Sequence, residues 1–157
     1  MSKENKLSSF REKIDRLDRD ILLALNERAQ VAKEVGVIKG TSPKYRPDRE
    51  AQIFRRLSQI NSGPLEEEAV KKIFVEIISA CRAMEDAPVV ACLGPKGTFS
   101  EQAAIKSFGH SCQIVFENTI DAVFKSVESR SASYGIVPVE NSTEGAVART
   151  LDLFVSS

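Results

Sequence analysis

A charged residue interrupts a long apolar seam near the start of this chain, and that interruption constrains the fold more than any other feature. Leu7, Phe10, Ile14, Leu17, Ile21, Ala24, Arg28, Val31, Val35 and Ile38 alternate by three and four without a slip, the stripe of a helix that packs as a coiled coil. A guanidinium on such a seam is expensive to desolvate and cannot shed its charge, so Arg28 is expected to meet an anion there. The alternative is an arginine that snorkels past its neighbours to water.

Lys39 follows Arg28 by about three helical turns, so both side chains project in nearly the same direction from bases roughly 16 Å apart. Arg11 lies on another azimuth and about 25 Å from Arg28, too far for one helix to bring all three to one small molecule. Antiparallel pairing of two copies resolves this. The seam is centred near Ile21 and Leu22, which puts the Arg11 of one copy opposite a point between Arg28 and Lys39 of the other. The geometry predicts a symmetric homodimer with two equivalent cationic sites, each completed by Arg11 donated across the interface. Near a helix start, a solvated Arg11 would only oppose the macrodipole.

Composition excludes several other partners. Twenty-two basic residues balance twenty-two acidic ones and His110 is the single histidine, so no nucleic-acid or acidic-membrane partner is expected. No apolar run approaches the ~20 residues that span a bilayer, and Met-Ser-Lys-Glu-Asn-Lys lacks the apolar core of a signal peptide. A soluble cytoplasmic protein is expected. Cys81, Cys92 and Cys112 are odd in number and scattered, which fits reduced thiols and neither a disulfide framework nor a metal site.

The first part of the chain carries helix signals only: the long helix, a second from Pro47 to about Asn61, and a third from Pro64 to about Glu85. Ser9 with Glu12 fits a capping box, and Pro47 and Pro64 suit first-turn positions. Gly40-Thr-Ser-Pro-Lys reads as a loop. From Pro88 short apolar runs at Val89–Leu93, Gln113–Phe116 and Tyr134–Val137 alternate with helical stretches at Glu101–Phe108, Ile120–Glu128 and Ala146–Val155, the pattern of an open parallel sheet. The expected fold class is α + α/β, with an all-helical domain over residues 1–87 and the first part of an α/β domain over residues 88–157. About seventy residues are few for a doubly wound layer, so that second domain is expected to be incomplete, a fragment of a longer chain.

Within the third helix Ile73, Ile77, Cys81 and Glu85 form one i, i+4 ridge. A carboxyl that continues an apolar ridge near a helix C-terminus is partly desolvated and favours its protonated, hydrogen-bond-donating form; the alternative is a helix that ends earlier and leaves Glu85 solvated. At the second helix start, Asp48 and Glu50 are ordinary first-turn acids, and Arg49 is the less ordinary member.

Taken together, Phe10-Arg-Glu-Lys-Ile-Asp-Arg-Leu-Asp, Asn26-Glu-Arg-Ala, Glu34-Val-Gly-Val-Ile-Lys, Tyr45-Arg-Pro-Asp-Arg-Glu and Ile77-Ile-Ser-Ala-Cys resemble the all-helical chorismate mutases. Leu93-Gly-Pro-Lys-Gly-Thr-Phe-Ser and Pro138-Val-Glu-Asn-Ser-Thr-Glu-Gly resemble the opening of the prephenate dehydratases. In this order they resemble the bifunctional enzymes of phenylalanine biosynthesis, which act in the helical part as intertwined dimers.

The resemblance implies that Arg28 and the partner's Arg11 hold the two carboxylates of chorismate. It further implies that Lys39 reaches the ether oxygen and a carboxylate, that Glu50 accepts from the ring hydroxyl, and that Arg49 supports Glu50. Cys81 falls where relatives often place serine near the ring carboxylate, Glu85 falls against the ether oxygen, and Arg46 is left without a role. Chorismate becomes prephenate by an intramolecular pericyclic rearrangement, so no nucleophile, metal or cofactor is implied. The site must select a compact conformer and stabilise charge growing on the ether oxygen.

For the α/β part, Thr98-Phe-Ser-Glu101 fits a capping box after the first strand, and Asn141-Ser-Thr-Glu144 is expected to act similarly after the third. Helix starts at the carboxyl ends of parallel strands are natural anion sites. The resemblance points to Thr98, Ser100, Glu140, Asn141, Ser142 and Thr143 as a prephenate crevice. The family's catalytic Thr-Arg-Phe motif, second lobe and phenylalanine-sensing domain are not found in the sequence, so neither dehydration nor feedback inhibition is expected of these 157 residues. Two rival readings are a catalytically silent helical dimerisation or regulatory module and an extended coiled-coil interaction protein.

Overall fold

A computed structural model describes residues 3–40, 45–85, 87–141 and 145–156. The chain forms two compact units, Met1–Lys44 and Tyr45–Ser157.

The first unit is one helix, α1 (Lys3–Lys39), of 37 residues and therefore about 55 Å long. Helix-favouring residues and Glu4 in the first turn start it earlier than the Ser9 capping box implied. Ser8 and Ser9 are interior to the helix, and the Ser8 hydroxyl reaches Glu12 at 3.4 Å along the helix surface. Gly40 ends it at φ +56°, its N–H bonding the Gly36 carbonyl at 3.1 Å, a backbone conformation that glycine adopts without penalty. Residues 41–44 of the expected loop lie outside the described residues. The seam is uncovered along its length: Leu7, Phe10, Ile14, Leu17, Ile21, Val31, Val35 and Ile38 are all exposed.

The second unit opens with α2 (Pro47–Ile60) and α3 (Glu67–Ala83). Proline begins α2, where its missing N–H costs nothing. α3 is shorter than expected at both ends. Pro64 lies before it and Glu85 lies in the turn after it, its N–H bonding the Arg82 carbonyl at 3.0 Å. The buried face of α3 also differs from the Ile73–Ile77–Cys81–Glu85 ridge: Ile73 is exposed, and the buried positions are Ile78, Ser79, Cys81 and Arg82. Packing of α3 against the helix that follows β1 causes the shift, with Ser79 of α3 lying against Gly109 and its hydroxyl accepting the Ser111 N–H at 3.2 Å.

β1 (Val89–Leu93), α4 (Phe99–Phe108), β2 (Gln113–Glu117), α5 (Ile120–Glu128) and β3 (Tyr134–Ile136) then build a parallel sheet in the order β2-β1-β3. Register pairs Ala91 with Val115 on one side and with Gly135 on the other. The central strand is apolar throughout because both its faces are covered. Val90 and Cys92 pack with Ala104 and Phe108 of α4, whereas Ala91 packs with Val123 of α5 and with Ala132.

After β3, β4 (Glu140–Asn141) pairs antiparallel with β5 (Gly145–Ala146), and α6 (Ala148–Ser156) begins two residues after the expected start at Ala146. The Thr150 hydroxyl, fully buried, donates to the Pro138 carbonyl at 2.7 Å and ties α6 back to the end of β3. α6 meets α5 through Phe124 and Phe154, 5.2 Å apart.

Candidate active site

In the first unit, Arg11, Arg28 and Lys39 stand on one unbroken helix. Arg11 and Lys39 are exposed and Arg28 is half-buried. Their separations are therefore those of helical rise, and no single copy of α1 can converge all three on one small molecule.

In the second unit, Tyr45 and Arg46 lead into α2. Arg46 grips Asp48 with two hydrogen bonds, Nε to Oδ1 at 3.1 Å and Nη2 to Oδ2 at 2.8 Å, so the position left without a role fastens the start of α2. The hydrogen bond from Arg46 holds the Asp48 carboxyl below its ordinary value. Arg49 is exposed and directs Nη1 to Gln52 at 3.4 Å.

The cation that meets Glu50 is Arg82, which sequence reasoning missed. Arg82 Nη2 donates to Glu50 Oε1 at 2.7 Å, with the two side chains 7% and 15% exposed. Burial pushes the Glu50 carboxyl above its ordinary value, and the positive charge of Arg82 pulls it back part of the way. Arg82 also lies over two rings, its guanidinium carbon 5.0 Å from the Tyr45 centroid and 5.9 Å from that of Phe108. A signal was present in the sequence: Val75, Ile78 and Arg82 fall three and four apart on α3, so a cation interrupts an apolar stripe there as Arg28 does on α1. Cys81, next to Arg82, is buried, and Glu85 is half-buried beyond the helix end.

At the carboxyl end of β1, Thr98 is the N-cap of α4, but its side chain makes no cap hydrogen bond. Its hydroxyl donates to the Leu93 carbonyl at 3.3 Å, and Glu101 Oε2 accepts the Gly97 N–H at 2.5 Å. Only the glutamate half of the expected capping box forms, displaced by one residue. Half-buried Ser100 accepts on its carbonyl from the Cys92 thiol at 3.8 Å. The chain leaves β1 towards the face covered by α4, and leaves β3 towards the face of α5 and α6, so the sheet order reverses between those two strand ends. Thr98 and Ser100 flank that reversal point in sequence order on one side and Glu140 and Asn141, in β4, on the other. Ser142 and Thr143 lie outside the described residues. Among the described residues no group of His, Cys, Asp and Glu could hold a metal ion, and no helix is long and apolar enough to cross a membrane.

Comparison with known proteins bears on both parts. Residues 10–86 match the profile of the family described as chorismate mutase type II, and residues 90–157 match that of prephenate dehydratase. A bifunctional chorismate mutase/prephenate dehydratase of Neisseria gonorrhoeae is 52% identical over 94% of this chain and 41% of its own length. One from Aquifex aeolicus is 46% identical over 96% of this chain and 43% of its own. The chain thus spans about two-fifths of the length of the curated relatives it matches. The solved chorismate mutase (Form II) of Thermus thermophilus is 32% identical, covers 52% of this chain and 94% of that one, and superposes with a TM-score of 0.50. The chain belongs to the type II chorismate mutase family through residues 10–86, joined to a prephenate dehydratase segment over residues 90–157, in the manner of the bifunctional chorismate mutase/prephenate dehydratases.

Proposed function

We propose that this chain is a chorismate mutase that converts chorismate to prephenate as a homodimer, with residues 1–87 as the mutase domain and residues 88–157 as the first part of a dehydratase domain. One observation carries the reading: Arg11, Arg28 and Lys39 share a single unbroken helix whose apolar seam is exposed along its length. An exposed seam of that size is covered by a second copy, and antiparallel crossing brings Arg11 of the partner to the space between Arg28 and Lys39.

In that pocket Arg28 and the partner's Arg11 clamp the two carboxylates of chorismate and hold the compact conformer from which the rearrangement proceeds. Lys39 donates to the ether oxygen as its bond breaks and negative charge accumulates there, with Glu85 as a second donor and Cys81 near the ring carboxylate. Glu50 accepts from the ring hydroxyl. Losing one donor at the ether oxygen costs ~3 kcal/mol in barrier, or about a hundredfold in rate. Around the reversal point of the sheet, Thr98, Ser100 and Glu140 belong to one wall of a prephenate crevice that the longer relatives complete. Cysteines in the thiol form suit a reducing cytoplasm.

The test is chorismate consumption by the purified chain, with Arg28→Ala and Arg28→Leu as comparisons. Turnover that falls at least about a hundredfold in both variants supports the reading. A folded dimer without turnover, in which Arg28→Leu raises stability, supports a catalytically silent dimerisation module instead.

A further inference from the structure

Among the described residues Arg82 is the one charged side chain that is buried. A guanidinium there is a poor source of stability, since a buried ion pair is often no better than well-packed apolar side chains of similar volume. It is also incompletely satisfied: Nη1 is buried with no hydrogen-bond partner among the described residues. What a cation provides at this position and an apolar residue does not is a fixed orientation for a carboxylate.

The geometry fits that role. Arg82 engages one carboxylate oxygen of Glu50, Oε1, at 2.7 Å. The guanidinium is held in turn by rings that pack on one another, with Tyr45 and Phe108 centroids 4.6 Å apart, Tyr45 and Tyr134 5.2 Å, and Phe108 and Tyr134 5.1 Å. Phe108 closes α4 and Tyr134 opens β3, so the mount for Arg82 comes from the α/β layer.

We propose that Arg82 is a positioning residue for Glu50: stacked on Tyr45 and on Phe108 of the α/β layer, it fixes one carboxylate oxygen and leaves the other to accept from a substrate hydroxyl. This rests on the mutase reading and adds to it that the downstream layer sets the geometry of a mutase residue. Arg82 also favours the ionised form of Glu50. Burial favours the protonated carboxyl, and the charge of Arg82 opposes it, so removing that charge converts an acceptor into a donor at higher pH.

The experiment follows kcat and KM for chorismate against pH in the 157-residue chain and in R82K, R82M, F108L, E50Q and the E50Q/R82M double variant, with far-UV circular dichroism to verify folding. R82M is expected to lower kcat roughly tenfold or more with a smaller change in KM, and to move the acid limb of kcat to higher pH. R82K should restore most of that limb, and F108L should move it the same way by less. In the E50Q background R82M should cost less than about twofold further, because the two act as one unit. If R82M does not fold, F108L alone decides by whether the acid limb moves. Losses that multiply in the double variant, or an acid limb unmoved by R82M and F108L, overturn the proposal while leaving the mutase reading intact. A wild-type chain without turnover defeats the mutase reading itself, and this one with it.

Discussion

Gly109 lies so close to Ser79 that a Cβ on the glycine would stand 2.4 Å from Ser79 Cβ and 2.6 Å from its Oγ. The contact joins the end of α4 to the buried face of α3, and the Ser79 hydroxyl accepts the Ser111 N–H at 3.2 Å just beyond it. Gly109 also holds φ +74° and ψ −178°, a conformation essentially confined to glycine. Gly109→Ala therefore meets both backbone strain and overlap with Ser79. It is expected to destabilise the second unit by about 3 kcal/mol or more. Urea unfolding followed by circular dichroism would show a clear fall in midpoint; an unchanged midpoint would contradict the packing described.

The cysteines respond to burial. Cys92 is fully buried, and burial, helped by Cys112 and Glu101, pushes its thiol up to about 11. Burial raises Cys112 as well. Since the thiolate is the reactive form, the native chain in mildly alkaline buffer should consume a thiol reagent at Cys92 at least roughly a hundredfold more slowly than the unfolded chain. Mass spectrometry of partly labelled protein reads this directly. Labelling of Cys92 as fast as in denaturant would show that the β1–α4 packing is wrong.

Glu76 and His110 link α3 to the segment after α4. Burial alone would raise the Glu76 carboxyl. The hydrogen bonds from the His110 ring and N–H, at 2.8 and 3.2 Å, and the charge of His110 outweigh it, so the net position is below the ordinary value of 4.5. A carboxyl lowered in the folded state contributes stability above its unfolded value and loses it as pH falls through the folded one. His110→Ala should therefore shrink the loss of stability below pH 4.5, while leaving stability near neutrality changed only slightly because the pair is largely exposed. Parallel urea titrations at several pH values would test it, and an acid limb identical in both proteins would contradict the assignment.

Much of this architecture is legible from local pattern. The parallel strands and α5 sit where apolar runs and breakers place them, and the seam on α1 needs only a helical period to be recognised. The misses lie where tertiary contact decides. The face that α3 buries is set by Gly109 and Ser79, thirty residues apart in sequence, and no periodicity within α3 reveals it. The β4–β5 pair is two residues long on each strand and carries no alternating apolar run that would mark it in the sequence. Arg82, which meets Glu50, comes from another helix, and only the interruption of an apolar stripe hinted at it.

Subunit complementation tests the central claim most directly. Arg11→Ala and Arg28→Ala should each abolish most chorismate turnover. In a homodimer with shared sites, mixing the two variants under subunit exchange yields hybrids in which one pocket carries both substitutions and the other carries neither. With statistical exchange, activity should return to about a quarter of the unsubstituted level. A mixture that exchanges subunits yet regains no activity would contradict a pocket built from two crossed copies of α1.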